Sequence, residues 1–215
     1  MSSEEHFNKM RVEYSKGALD EGHVNPDPFA QFREWFDVAV KSEPTEANAC
    51  ALATTGSDQQ PAVRMLLLKS LDERGFVFYT NYNSRKGRQL LENSRAALLF
   101  YWSTIERQVR IEGIVERVTR QESEVYFHSR PRNSQVGAAA SRQSERCASR
   151  ATIEHEAREL SQSVGEGIIE CPPHWGGYRL IPARFEYWQG RPDRLHDRIT
   201  FERAGNSWNI GRLWP

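Results

Sequence analysis

The alternation of apolar and polar positions along the chain predicts a mostly β protein with helices set between its strands. Phe29, Phe32, Phe36, Ala39 and Val40 recur at helical spacing and predict a helix from about Asp27 to Ser42, stopped ahead of Pro44. The period then shortens. ACALATT (49–55), AVRMLLLKSL (62–71) and GFVFYTN (75–81) read as strands divided by the turn-forming segments GSDQQP and DERG. NSRKGRQLLENS (83–94) reads as a short helix capped by Ser84, and AALLFYW (96–102) as another strand. RQVRIEGIVERV (107–118) alternates, with Val109, Ile111 and Val115 on one face and Gln108, Arg110, Glu112 and Glu116 on the other. Helices are expected at about 120–130 and 151–163, and two or three strands from WGGYRL to the end, closed by the AGN turn at 204–206. About seven strands following one another through short turns favour an antiparallel barrel with peripheral helices over a parallel doubly wound sheet. The expected class is therefore mainly β with peripheral helices (α+β). Residues 1–25 lack periodicity and read as a mobile N-terminal arm, in which Arg11 and Tyr14 stand out, ahead of a single domain over 26–215.

Composition narrows the functional classes more than it alters this outline. Six Trp, ten Phe and seven Tyr in 215 residues supply a substantial core. The 29 basic and 29 acidic side chains balance, so no global field draws the chain to nucleic acid or to an anionic membrane, and any anion binding must be local. No apolar run approaches the roughly 18 residues of a membrane helix, and the polar, mixed-charge start lacks the order of a signal peptide, so a cytoplasmic location is expected. Cys50, Cys147 and Cys171 are scattered without CxxC spacing, and the six histidines show no ligand pairing, so neither disulfides nor a metal are expected. GxGxxG, GxxxxGK[ST] and GxSxG are all absent from the sequence.

Four local clusters carry candidate chemistry. In SRKGR, Arg85 and Lys86 occupy the first turn of a helix, where the backbone dipole disfavours cations unless an anion caps it; a phosphate there and an exposed basic turn are the two readings. In VRMLLLKS, Arg64 and Lys69 bracket a buried strand, and their odd separation sends them to opposite faces, so one straight strand cannot aim both at one phosphate. Two anions, a bulge, or two snorkelling strand ends would each account for them. In YFHSRPRNS, Tyr126 and Arg130 share a helix face, Pro131 ends the helix and Ser134 follows in the loop, giving either a phosphate donor set or a solvated helix end. In RPDRLHDR (191–198), an extended chain would put Arg194, His196 and Arg198 on one face, neutralised by Asp193, Asp197, another acid or a ligand. Separate donor clusters among many aromatics suit a phosphorylated aromatic cofactor, a phosphorylated ring substrate, or both.

EYWQGRPDRLHDR (186–198) resembles, position by position, the C-terminal signature of the pyridoxamine 5'-phosphate oxidase family. RMLLLK, FYTNYNSRK, ERQVRIEG, YFHSRPRNSQVGA and WGGYRL resemble the rest of its pattern in the same order, from about Arg11 to the end. The resemblance implies an FMN-binding split barrel working as a homodimer, with FMN sites shared across the interface. It implies oxidation of pyridoxamine or pyridoxine 5'-phosphate to pyridoxal 5'-phosphate, with dioxygen as acceptor and hydrogen peroxide as by-product. Its FMN contacts fall on Arg64, Met65, Leu66, Leu67, Leu68, Lys69, Tyr79, Thr80, Arg85, Lys86, Gln108, Gln143, Ser144, Trp188 and Arg198. Its substrate contacts fall on Lys69, Tyr126, Arg130 and Ser134 at the phosphate, on Arg194 and His196 over the ring, and on Arg11 and Tyr14 in the arm. Arg194 and His196 are the expected catalytic pair, with His196 assisting proton removal. Arg64, Arg85 and Lys86 would then serve the FMN phosphate, supplying the second anion that the strand parity requires. A related flavin oxidase on another ring, as in phenazine assembly, would alter the substrate set, whereas a non-enzymatic flavin or pyridoxal phosphate binding module would keep the binding residues without turnover.

Overall fold

A computed structural model describes residues 13–42 and 45–215, so the reading of Arg11 lies outside the described residues. The described elements are, in chain order, α1 (Pro28–Ser42), β1 (Ala49–Thr55), β2 (Pro61–Leu67), β3 (Ser70–Asp72), β4 (Gly75–Asn81) and α2 (Arg85–Glu92). They continue with β5 (Arg95–Trp102), β6 (Arg107–Arg117), α3 (Arg120–Ser129), α4 (Arg132–Ala140) and α5 (Arg150–Val164). The chain closes with β7 (Trp175–Gln189), β8 (Asp197–Ala204) and β9 (Ser207–Arg212). The strands bond in the order β2-β1-β5-β6-β7-β4-β3, with β8 on β7 and β9 on β8. The β3–β4, β4–β7, β7–β8 and β8–β9 pairs are antiparallel, as expected of a mainly β split-barrel chain. No helix among the described residues is long and apolar enough to cross a membrane.

The chain folds into two compact units, each assembled from separate segments. The first holds the described residues up to Cys50 together with Leu99–Ile111 and Ala183–Pro215. Its core forms around α1, where Phe29, Phe32, Trp35 and Ala39 are buried, with Phe32 edge-on to Phe100 at 5.0 Å and Trp35 edge-on to Tyr187 at 5.2 Å. The buried stripe differs from the expected one: Val40 faces solvent and Trp35 takes the core position. Residues 13–25, expected as the base of a mobile arm, are tied down. The Ser15 and Lys16 amides donate to the Glu106 carboxylate, the Leu19 amide donates to Asp197, and Arg191 donates to the Gly17 carbonyl.

The second unit holds Ala51–Leu98 and Glu112–Pro182. Here the strand expected over 62–71 is two elements, broken at Leu68 and Lys69, because the Lys69 amide leaves the β2 ladder and donates to Val77 of β4. Nor is β2 buried: Val63 and Met65 are 70% and 66% exposed, since β2 ends the strand path. Ser84 caps α2 as expected, its hydroxyl accepting from the Gly87 amide. Thr119 and Glu122 form a reciprocal capping box on α3. Pro131 both stops α3 and starts α4, so Ser134 lies in the first turn of a helix and not in a loop.

Candidate functional site

The second unit contains a cavity of about 590 Å³ lined by Lys69, Tyr79, Thr80, Tyr126, Arg130, Ser134, Gln143 and Trp175. Chain breaks put these side chains together. Lys69 projects from the gap between β2 and β3, Tyr126 sits on the last turns of α3, Arg130 caps that helix, and Ser134 opens α4. The α3 helix is pinned by ion pairs. The buried Arg179 of β7 donates to Asp72 at 3.1 Å and to Glu122 at 3.4 Å, and the Thr119 amide and hydroxyl hold the Glu122 carboxyl below its usual range. At the other end of α3, Tyr126 stacks on Tyr79 with ring centres 3.9 Å apart.

Thr80 and Gln143 bond to each other at 3.1 Å, whereas Arg130 differs in having an unpartnered end. Arg130 makes no ion pair among the described residues, and its Nη1 is buried without an acceptor. Burial depresses its pKa, the sign of a guanidinium removed from water without a carboxylate beside it. Convergent cationic, phenolic and hydroxyl donors with no acid among the lining residues have the chemistry to hold an anion.

A second cationic group stands in the same unit. Arg64 Nη1 donates to the Leu52 carbonyl at 3.1 Å and to Thr54 Oγ1 at 2.6 Å, which fixes it on β2 beside β1. Burial and then the charge of Arg85 depress the Arg64 pKa, while burial and then the charge of Arg64 pull Lys86 down to about 8. Lys86 Nζ donates to Thr80 Oγ1 at 3.1 Å and to Gln143 Oε1 at 2.7 Å. Arg64 on β2 thus stands by Arg85 and Lys86 of α2, a helix with no acid in its first turn, and this set could hold an anion such as a phosphate. Leu66 and Leu67 of β2 are half-buried, Met65 is exposed and Leu68 is buried, and exposed Ser144 has a positive φ of 75°.

The first unit carries the remaining expected residues, and here the structure corrects the reading of RPDRLHDR. The triplet is not a strand face. Arg194 lies in a 3-10 turn with φ of 62° after Asp193 with φ of 55°, and β8 begins only at Asp197. His196 Nδ1 accepts from the Arg191 amide at 3.1 Å, so the neutral ring carries its proton on Nε2. Burial, followed by the neighbouring charge of Arg194, lowers the His196 pKa and so favours the neutral ring. Arg198 is already paired: its Nε donates to the buried Glu186 at 2.9 Å, and Arg110 donates to the other Glu186 oxygen at 2.6 Å. Tyr14 packs edge-on against Trp188 at 5.5 Å and His196 at 5.6 Å, and Gln108 is half-buried on β6.

Sequence reading missed Trp175 in the cavity wall and Glu186 beneath Arg198. The double glycine that follows Trp175 was the available signal. A Cβ at Gly176 would stand 2.1 Å from the Tyr82 hydroxyl, so this corner of the unit admits no side chain.

Comparison with known proteins gives a consistent result. Residues 36–163 match the family described as pyridoxamine 5'-phosphate oxidase, and residues 175–215 match the pyridoxine 5'-phosphate oxidase C-terminal dimerisation region. The pyridoxine/pyridoxamine 5'-phosphate oxidase of Ralstonia pickettii is 53% identical over 207 residues, covering 96% of this chain and 97% of that protein. The protein of the same name from Pseudomonas paraeruginosa is 52% identical over 208 residues, with the same coverage. Among solved structures, PhzG from Burkholderia lata, in complex with tetrahydrophenazine-1-carboxylic acid, superposes with a TM-score of 0.87 at 32% identity, covering 94% of this chain and all of that one. An FMN-binding protein from Nostoc punctiforme shares the fold, with a TM-score of 0.69 at 16% identity over 86% of this chain and 97% of its own.

Proposed function

Because the chain belongs to the pyridoxamine 5'-phosphate oxidase family, whose cofactor is FMN, we propose that it oxidises pyridoxamine 5'-phosphate and pyridoxine 5'-phosphate to pyridoxal 5'-phosphate. The observation that carries this reading is the cavity that gathers Lys69, Tyr126, Arg130 and Ser134 with no acid in its lining and with Arg130 Nη1 buried without a partner among the described residues. A phosphate monoester, dianionic near neutral pH and rich in acceptor oxygens, matches that set.

Arg64, Arg85 and Lys86 would hold the FMN phosphate, with Thr80 and Gln143 orienting the Lys86 ammonium. When bound, FMN supplies the two-electron acceptor for the substrate C4' carbon, and dioxygen takes those electrons onward to hydrogen peroxide. The protein's part is positioning. Anchoring the substrate phosphate by Lys69, Tyr126, Arg130 and Ser134 would leave the pyridine ring to Arg194 and His196. The ordered Nδ1 contact supports His196 as a neutral Nε2–H donor to the ring's polar edge. Exposed Arg194 is the cation available to that ring. Residues 175–215, which match the dimerisation region, support a homodimer.

The likeness to PhzG favours a second reading, in which the substrate is a ring carboxylic acid. A carboxylate has two oxygens and one charge, and would leave part of the donor set of Lys69, Tyr126, Arg130 and Ser134 unsatisfied. Purified, flavin-loaded protein given pyridoxamine 5'-phosphate in air is expected to yield aldehyde and peroxide together. Absence of both from a sample with a full flavin spectrum would reject the B6 vitamer assignment.

A further inference from the structure

Arg130 follows the last turn of α3, held by one backbone bond to Phe127 before Pro131 turns the chain. Nothing in that backbone geometry directs its long side chain, and no carboxylate meets its guanidinium among the described residues. What meets it is a ring: the Arg130 Cζ lies 4.8 Å from the centroid of Trp175, nearer than the 5.9 Å to Phe127. Trp175 is itself buried and packed on several sides. It is 5% exposed, starts β7 opposite Asn81 of β4, stacks on Tyr79 at 5.5 Å and 14°, and meets Phe127 edge-on at 5.2 Å.

We infer that Trp175 is a positioning residue for the substrate phosphate, holding the Arg130 guanidinium by its ring face so that the N–H donors remain free for the anion. An acid in this place would also orient the arginine, but it would occupy the donors and repel the phosphate. An aromatic face attracts the cation through its quadrupole and presents no lone pair for those donors to satisfy. The same indole lies nearly parallel to both tyrosine rings, 5.5 Å from Tyr79 and 6.2 Å from Tyr126, so the three rings form one close-packed group. One buried ring thereby sets the approach of two of the four phosphate donors.

This inference rests on the phosphate reading of the cavity, and the test separates the two. FMN-loaded protein, its flavin phosphate site filled, is titrated calorimetrically with inorganic phosphate, and KM and kcat for pyridoxamine 5'-phosphate are measured in parallel. Trp175→Leu is expected to raise the phosphate dissociation constant and KM together by about tenfold, with kcat within about twofold, as loss of a desolvated cation–π contact predicts. Trp175→Phe, which keeps a smaller face, is expected to lie between. If Trp175→Leu does not fold, tryptophan fluorinated site-specifically at position 175 keeps the ring's shape while draining its quadrupole, and phosphate affinity is expected to fall stepwise with fluorine number at constant melting temperature. Affinity unchanged across that series, in protein whose wild type binds phosphate, would overturn the role of Trp175 alone. Failure of the wild-type FMN-loaded protein to bind inorganic phosphate would overturn the cavity reading and the inference with it.

Discussion

The chain holds cations in two contrasting ways. In the 590 Å³ cavity, Lys69 and Arg130 stand without acidic partners, and Arg130 is held against a ring. In the RPDRLHDR segment, Arg198 is bonded to a buried carboxylate, the Arg191 guanidinium is bound to Gly17, and His196 receives the Arg191 amide. Both regions read from sequence as clusters of positive charge. The structure separates them: Arg198 and Arg191 already have acidic partners in Glu186 and Asp197, whereas no acid lines the cavity of Lys69 and Arg130, which suits the anion proposed for them. Pairing with an acid, not charge density, separates these two groups.

The sharpest way to break this contrast is to remove one cation from the unpaired group. Arg130→Leu is expected to raise KM for pyridoxamine 5'-phosphate by about a hundredfold, equivalent to one or two charge-assisted hydrogen bonds, while thermal stability holds or rises because a buried cation without an acid is gone. Steady-state kinetics with a melting curve checks both halves.

The converse change tests the paired group. Glu186→Gln removes the negative charge shared by Arg110 and Arg198, and the carboxylate is 3% exposed while the two arginines are 37% and 27% exposed. A fully buried pair broken this way costs about 3 to 5 kcal/mol, and partial solvation of the arginines reduces that to about 2. The melting temperature should drop by about 4 to 8 °C. A variant that melts like the wild type would place Glu186 outside the framework.

Smaller effects come from Lys86 and Ser134. Because folding lowers the Lys86 pKa to about 8, the folded chain binds this proton less tightly than the unfolded chain, so its penalty on stability is present below pH 8 and relieved as pH rises toward the unfolded value. A phosphate beside Lys86 restores the proton, so FMN affinity should fall as pH rises from about 7 to about 9.5, and Lys86→Met should flatten that dependence in a fluorescence titration of apoprotein. Ser134→Ala should raise KM by only about fivefold, the value of one hydroxyl hydrogen bond.

Much of this was legible in the chain. The α1 helix, β1, β4 and the Ser84 cap follow from periodicity and cap chemistry that local residues decide. What escaped depends on partners distant in sequence. The β2–β3 break arises because the Lys69 amide finds Val77, and the turn at Asp193 and Arg194 adopts positive φ values that no alternation rule anticipates. Helix α4 was hidden because Pro131 reads equally as a stop and as a start. At the site, donor residue types were readable, but whether a donor was free was not. Arg198 and Arg130 look alike until Glu186 appears beneath one and Trp175 beside the other.

The most direct test of the central claim, that the unpaired donors around Arg130 form a phosphate clamp, compares pyridoxamine 5'-phosphate with unphosphorylated pyridoxamine on wild-type and Arg130→Leu protein, each loaded with FMN and assayed for peroxide in air. The account predicts rapid turnover of the phosphorylated substrate by the wild type alone, with the unphosphorylated amine poor on both proteins. Equal turnover of the two amines by the wild type, or an Arg130→Leu protein that keeps its preference for the phosphorylated one, would contradict it.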